Sequence, residues 1–231
     1  MKIIVAIDGF AASGKSTIAQ DLADKTGYTH IDSGAMYRAV TLFGMQKGLV
    51  NSASDINSKE LIALLPTINI SFDRTPGSYA TILNGENVEK RIRSLEVSNL
   101  TPHVAKIAAV RNFLTACLRK LGRDKGVVME GRDIGTVVFP DAKMKVFVTA
   151  PLNLSVERRL QELEKQGNSA TYQSVKNDIL ERDEIDAAWT HPAKDAIRIE
   201  NGSEPLDGIV QDLLAIFYKL TENKSTLTDT L

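Results

Sequence analysis

The sequence predicts an α/β protein, a parallel sheet flanked by helices. Three observations carry that expectation. Short apolar runs alternate with segments whose apolar residues recur at helical spacing, the pattern of a sheet covered on both sides. The run Ile3-Ile4-Val5-Ala6-Ile7-Asp8 passes directly into Gly9-Phe10-Ala11-Ala12-Ser13-Gly14-Lys15-Ser16, a glycine-rich turn where strand gives way to helix. Val127-Val128-Met129 is apolar on consecutive residues, as a strand buried on both faces must be. A chain of 231 residues accommodates one such domain with room for a small inserted subdomain.

Taken in order, residues 3–8 read as the first strand, and Ile18, Ala19, Leu22 and Ala23 form the stripe of a helix reaching to about residue 26. Tyr28-Thr29-His30-Ile31 is a second short strand ending at Asp32-Ser33-Gly34. Met36, Val40, Phe43 and Gly44 share one face of a helix that stops near Gly48. Residues 49–100 break the alternation. Ser/Asn-rich punctuation at 51–58 leads to a short apolar helix, and Ile68-Asn69-Ile70-Ser71-Phe72 alternates with period two. Arg74-Thr75-Pro76-Gly77 reads as a turn, and residues 79–83 followed by Asn84-Gly85 read as a strand and hairpin turn, making this an antiparallel insert.

Residues 104–121 predict one long helix carrying Arg111 and Arg119. The buried strand at 127–129 ends in Glu130-Gly131-Arg132-Asp133, and 144–148 is a further strand. Residues 153–166 predict a highly charged helix with Arg158 and Arg159; a second starts near Thr171 with Tyr172, Val175 and Ile179 on one face. Residues 196–199 form the last strand. The final helix, striped by Ile209, Leu213, Ile216 and Leu220, is introduced by Ser203 and Asp207, and 221–231 is a polar tail.

Composition narrows the partners. Lys plus Arg number 28 against 29 for Asp plus Glu, so the chain lacks the basic field that holds a nucleic-acid polymer. No apolar run is long enough to cross a bilayer, and the amino terminus has no cationic and apolar leader pattern, so a cytoplasmic protein with no membrane partner is expected. The one cysteine, Cys117, lies among Leu114, Leu118 and Leu121 and reads as a packed thiol. His30, His103 and His191 show no metal-ligand spacing, and no structural metal is expected. Nothing demands an obligate interface, so the expected state is a monomer with small-molecule partners.

The segment Gly9 to Ser16 has the spacing of a phosphate-binding P-loop. Glycine lets successive N–H groups point into one concavity, and the following helix adds its unpaired N–H groups and positive dipole end. Gly9, Ala11, Ala12, Ser13, Gly14, Lys15, Ser16 and Thr17 are thus the expected triphosphate binders, with Lys15 at the β- and γ-phosphates and the Ser16 hydroxyl on Mg²⁺. The plainer reading is a glycine-rich turn with an exposed lysine; the flanking strand and helical stripe favour phosphate. The acceptor must be sought in other groups. Candidates are residues 32–38, Arg111, Gly131-Arg132-Asp133 and residues 182–186.

These residues carry a resemblance. In Gly9 to Thr17, Asp32-Ser33-Gly34-Ala35-Met36-Tyr37-Arg38, Asn84-Gly85 with Ile92-Arg93, the block Gly131 to Pro140 and Glu181-Arg182-Asp183, the chain resembles bacterial cytidylate kinases, nucleoside monophosphate kinases of the P-loop kinase fold. The resemblance implies transfer of a phosphoryl group from ATP to CMP or dCMP, with Mg²⁺, in pyrimidine nucleotide metabolism. It implies one domain over 1–231 with an acceptor-binding insert at 49–100 and a helical lid at 150–190, whose closure would keep water from the phosphoryl group. Ser33, Arg111 and Asp133 become base contacts, with Tyr37 also on the acceptor; Arg38 and Arg132 become acceptor-phosphate ligands, and Arg182 and Asp186 ribose contacts. Lys15, Arg132, Arg158 and Arg159 become the groups that neutralise the transferred phosphoryl. Cytosine offers an amine donor beside two acceptors, which a carboxylate paired with a guanidinium can read.

Other readings stand beside these. Arg182 and Asp186 also fit a surface helix ion pair, Arg158 and Arg159 a solvated helix face, and Ser33 a helix cap. Glu130 fits either a group behind Mg²⁺ or a strand-end carboxylate. Alternative functions are a kinase for UMP or dTMP, or a P-loop hydrolase or switch. The chain departs from the family at Trp189, where an arginine is usual, in a shortened segment from Asp186 to Asp195, and at Pro102 beside Thr101, where the family uses a serine on the sugar.

Overall fold

The computed structural model describes residues 1–73, 80–165, 167–202 and 205–222. The turn expected at Arg74 to Gly77, the strand start at Tyr79, the helix end at Gln166, the Ser203 cap and the tail from residue 223 lie outside the described residues. The chain forms two compact units, Met1–Ile31 with Gly122–Leu231, and Asp32–Leu121.

The first unit opens with β1 (Ile4–Gly9), α1 (Lys15–Thr26) and β2 (Thr29–Asp32). The second follows with α2 (Ser33–Gln46), β3 (Val50–Ser52), β4 (Asp55–Ile56), α3 (Ser58–Leu64), β5 (Ile70–Asp73), β6 (Ala80–Leu83), β7 (Glu86–Asn87), α4 (Glu89–Ile92), α5 (Leu95–Ala105) and α6 (Ala108–Leu121). Strands β5, β6 and β7 form the expected antiparallel sheet, with β6 and β7 joined by Asn84-Gly85 at φ 48° and 87°. The 51–58 stretch, expected only as punctuation, holds the short β3–β4 hairpin.

Two expectations are corrected here. Asp32, not Ser33, caps α2: its extended backbone stands just outside the helix and its side chain accepts from the Ala35 N–H at 3.0 Å, while Ser33 is already helical and buried. The single helix expected at 104–121 is two, with a break between Ala105 and Ala108. Val97, Thr101 and Val104 are one buried stripe and Val110, Leu114 and Leu118 another, one residue out of phase. A break lets both be buried. Cys117 on α6 is half-buried, and burial pushes its thiol pKa up, away from nucleophilic use.

The first unit resumes with β8 (Val127–Gly131), β9 (Met144–Thr149), α7 (Leu152–Lys165), α8 (Tyr172–Asp186), β10 (Ile197–Glu200) and α9 (Leu206–Thr221). Its five-stranded sheet has the order β10-β9-β1-β8-β2, with β1 parallel to both β8 and β9 and β10 parallel to β9. All five residues of β8 are buried. Ile18 and Leu22 of α1 pack with Val210, Leu213 and Phe217 of α9 over Val5, Ile7, Val128 and Val146 of the sheet. Each such side chain removed from water contributes roughly 1.5–3 kcal/mol. Strands buried this way end in one row of carboxyl termini, and the candidate chemistry sits there. Among the described residues no helix is long and apolar enough to cross a membrane.

Candidate active site

The loop from β1 to α1 is shaped by what its glycines leave out. A Cβ at Gly9 would collide with the Val148 carbonyl oxygen, and one at Gly14, where φ is 82°, with Nδ2 of Asn201. Only glycine allows the loop to lie that close to the ends of β9 and β10. Ala12 also takes a positive φ, 51°, curling the chain so that amides gather at the first turn of α1. Ser13 is buried, and its Oγ has no hydrogen-bond partner among the described residues. A buried donor of this kind at the mouth of a glycine-built cradle fits phosphate oxygens. Lys15 Nζ reaches back over the loop to the Phe10 carbonyl at 3.3 Å. Ser16 and Thr17 are exposed on the first turn of α1. The Ser16 hydroxyl donates to Glu130 Oε2 at 2.5 Å, which leaves its oxygen lone pairs for a cation; the donor set therefore fits a nucleoside triphosphate with Mg²⁺.

Three side chains from distant parts of the sequence fasten this loop. Arg132 donates through one guanidinium nitrogen to the Gly9 carbonyl. Asp183 accepts from the Ala11 N–H at 3.1 Å, and Asn201 donates through Nδ2 to the Ser13 carbonyl at 2.9 Å. Burial raises the Asp183 pKa, against the Ala11 hydrogen bond and the Arg132 charge. The sequence places Asp183 within the candidate cluster at 182–186 and Asn201 in the loop after Ile199, but it does not indicate that either fastens the P-loop, because their partners are 172 and 188 residues away.

Arg132 also grips Asp186, Nε to Oδ2 at 2.8 Å. Arg182 stands 4.0 Å from the same oxygen. The reading of Arg182 and Asp186 as a surface helix pair is thereby corrected: Asp186 is buried, and its nearer partner comes from the end of β8. Asp133 is buried beside Arg132, and its carbonyl accepts from Val137 and Val138 in a single π-helical turn, Ile134–Val138. That turn is pinned by Asp8, another residue the sequence did not single out. Its two carboxylate oxygens accept from the Ile134 and Gly135 N–H groups, each at 2.7 Å. Burial pushes the Asp8 pKa up to about 6, against these hydrogen bonds.

Helices α7 and α8 pack on each other through Val156, Leu163, Val175 and Ile179, with Ala11 and Ala12 of the loop against the same cluster. Arg158 does not sit on a solvated face. Its guanidinium donates to the carbonyls of Asn201 at 3.1 Å and Gly202 at 2.8 Å, and a Cβ on Gly14 would be 3.7 Å from it. Arg159 pairs instead with Glu162 at 2.8 Å. The two arginines, equivalent in the sequence, thus differ in surroundings.

Ser33, Tyr37, Arg38 and Arg111 belong to the second unit. There Asp32 takes Arg38 at 2.6 Å and Arg93 at 3.0 Å, and Arg93 also takes Glu89 at 2.8 Å. Burial alone would raise Glu89, but hydrogen bonds from Thr81 and the charge of Arg93 outweigh it and hold the carboxyl below its ordinary value. The guanidinium of Arg111 lies over the Tyr37 ring, 5.8 Å from its centre. Arg38 and Arg93 are thus balanced by Asp32 and Glu89, and the cluster holds its two guanidinium forks in fixed positions.

The parallel sheet and its glycine-lysine-serine loop define a nucleotide-binding protein of the P-loop kinase fold. Two crystal structures agree on that fold: an uncharacterized protein from Eubacterium ventriosum, with a TM-score of 0.52 at 12% identity over 95% of this chain and 99% of its own, and the shikimate kinase of Bacteroides thetaiotaomicron, with 0.51 at 12% over 94% and 99%. A family model for cytidylate kinase matches residues 5–219. The cytidylate kinase of Parabacteroides distasonis is 45% identical over 94% of this chain and 97% of its own, and that of Phocaeicola vulgatus 46% over 87% and 90%. The chain belongs to the cytidylate kinase family and is a nucleoside monophosphate kinase.

Proposed function

We propose that this protein transfers the γ-phosphoryl group of ATP to CMP or dCMP, giving ADP and CDP or dCDP, as a cytoplasmic step of pyrimidine nucleotide metabolism. The observation that carries the reading is the double grip of Arg132, which ties the P-loop at Gly9 to Asp186 at the end of α8, a residue the resemblance implies for the acceptor. In this reading the loop amides, Ser13 and Lys15 hold the triphosphate. Ser16 holds Mg²⁺, which when bound neutralises charge on the β- and γ-phosphates. Arg38 and Arg132 bring guanidinium charge to the acceptor phosphate, and Arg182 and Asp186 meet its ribose. Ser33, Tyr37, Arg111 and Asp133 address the base. Asp133 accepts from the cytosine amine, whereas uracil would set a carbonyl against it, a mismatch of roughly 1–3 kcal/mol. No general base is required, because the attacking phosphate oxygen is already ionised. Arg158 and Arg159 add positive charge as the phosphoryl group moves.

A coupled assay of ADP release, run with CMP, dCMP, UMP and dTMP, tests the proposal. The expected order places CMP and dCMP well above UMP and dTMP. Preference for UMP or dTMP would make it a kinase for another pyrimidine, and ADP release independent of every acceptor would favour a hydrolase or switch.

A further inference from the structure

We propose that His30 is a positioning residue for the magnesium–ATP site, acting on Ser16 through Glu130. The inference rests on the reading of Ser16 as a ligand of Mg²⁺. Strand β2 lies beside β8 in the sheet, which brings His30 against Glu130 across a sequence gap of 100 residues. With hydrogen on Nε2, the imidazole donates to Glu130 Oε1 at 3.0 Å, and the other oxygen of the same carboxylate accepts from the Ser16 hydroxyl at 2.5 Å. The Glu130 side chain is only 2% exposed, so loose water is a poor substitute for either partner.

The geometry has a chemical consequence. A hydroxyl that donates its hydrogen to a carboxylate turns its lone pairs the other way and carries more negative charge on oxygen, which makes it a better ligand for a hard cation. A hydrogen bond to each oxygen helps fix the carboxylate plane; removing the one from His30 weakens that hold, and the Ser16 hydrogen follows any twist of the group about its last torsion. His30 therefore contributes by holding a ligand's partner still, without touching nucleotide or metal.

ATP binding to the full-length chain, measured by titration calorimetry in excess Mg²⁺ and again in EDTA, gives the ratio of the two affinities. In His30→Leu this ratio falls about tenfold or more, whereas His30→Gln, whose amide N–H reaches the same oxygen, stays within about threefold of the wild type. In a Glu130→Gln background His30→Leu has little further effect, because its route to Ser16 is already broken. A wild-type ratio in His30→Leu, or an undiminished effect in the Glu130→Gln background, overturns the proposal. If His30→Leu loses its circular dichroism signature, His30→Ser takes its place with the same expectation. A wild-type protein whose ATP affinity ignores Mg²⁺ overturns the assignment of Ser16 instead, so the two failures are told apart.

Discussion

At the scale of single residues, Asp8 offers a measurable signature. Its pKa rises from 3.8 to about 6 in the folded protein, so the folded state holds the proton more tightly than the unfolded chain does. Stability is accordingly greatest below the unfolded value and falls as pH climbs through the folded one. Asp8→Asn does not titrate. In urea unfolding, the variant's stability relative to wild type should rise by on the order of 2–3 kcal/mol between about pH 4 and about pH 7; a flat difference would refute the burial argument. Arg132→Lys keeps the charge and loses the fork that spans Gly9 and Asp186. Its kcat/KM for CMP should fall about 100-fold with little change in the melting curve. A drop below tenfold would show that one contact suffices.

At the scale of elements, α8 presents Arg182, Asp183 and Asp186 from one helix, and its start is fixed by a reciprocal cap between Thr171 and Ser174. Thr171→Ala should cost about 1 kcal/mol in stability and raise the KM for ATP, since Asp183 is the helix's hold on the Ala11 amide. Unchanged ATP binding would separate the helix start from the loop. Strands β1, β8 and β9 were legible because mostly apolar runs between polar ends have few other fates in water, and β10 because Ile197 and Ile199 alternate with Arg198 and Glu200. The P-loop was legible because its chemistry is local. Helix α5 was not: Pro102 argues against a helix, and only the burial of Val97, Thr101 and Val104 outweighs the hydrogen bond it forfeits. The hold of Asp183 and Asn201 on the P-loop was invisible for another reason. Each is an ordinary polar residue whose partner is a main-chain atom supplied by tertiary packing. Likewise the divergence of Arg158 from Arg159 follows from where the Asn201 and Gly202 carbonyls arrive.

At the scale of the whole molecule, nothing in the sequence demands an obligate interface, and a monomer is the expected state. Light scattering should return 25.3 kDa at working concentrations, and a doubled mass would revise that expectation. The sheet order carries a further consequence. Strand β1 stands in the middle, its neighbours beginning at Val127 and Met144. During translation it leaves the ribosome on the order of ten seconds before either neighbour exists, at ordinary rates of elongation. Through that interval a ribbon apolar up to Asp8 is exposed without its sheet partners, a target for chaperones and a nucleus for clumping. Slowing synthesis between the two halves should therefore cost yield, even though the finished protein is untouched.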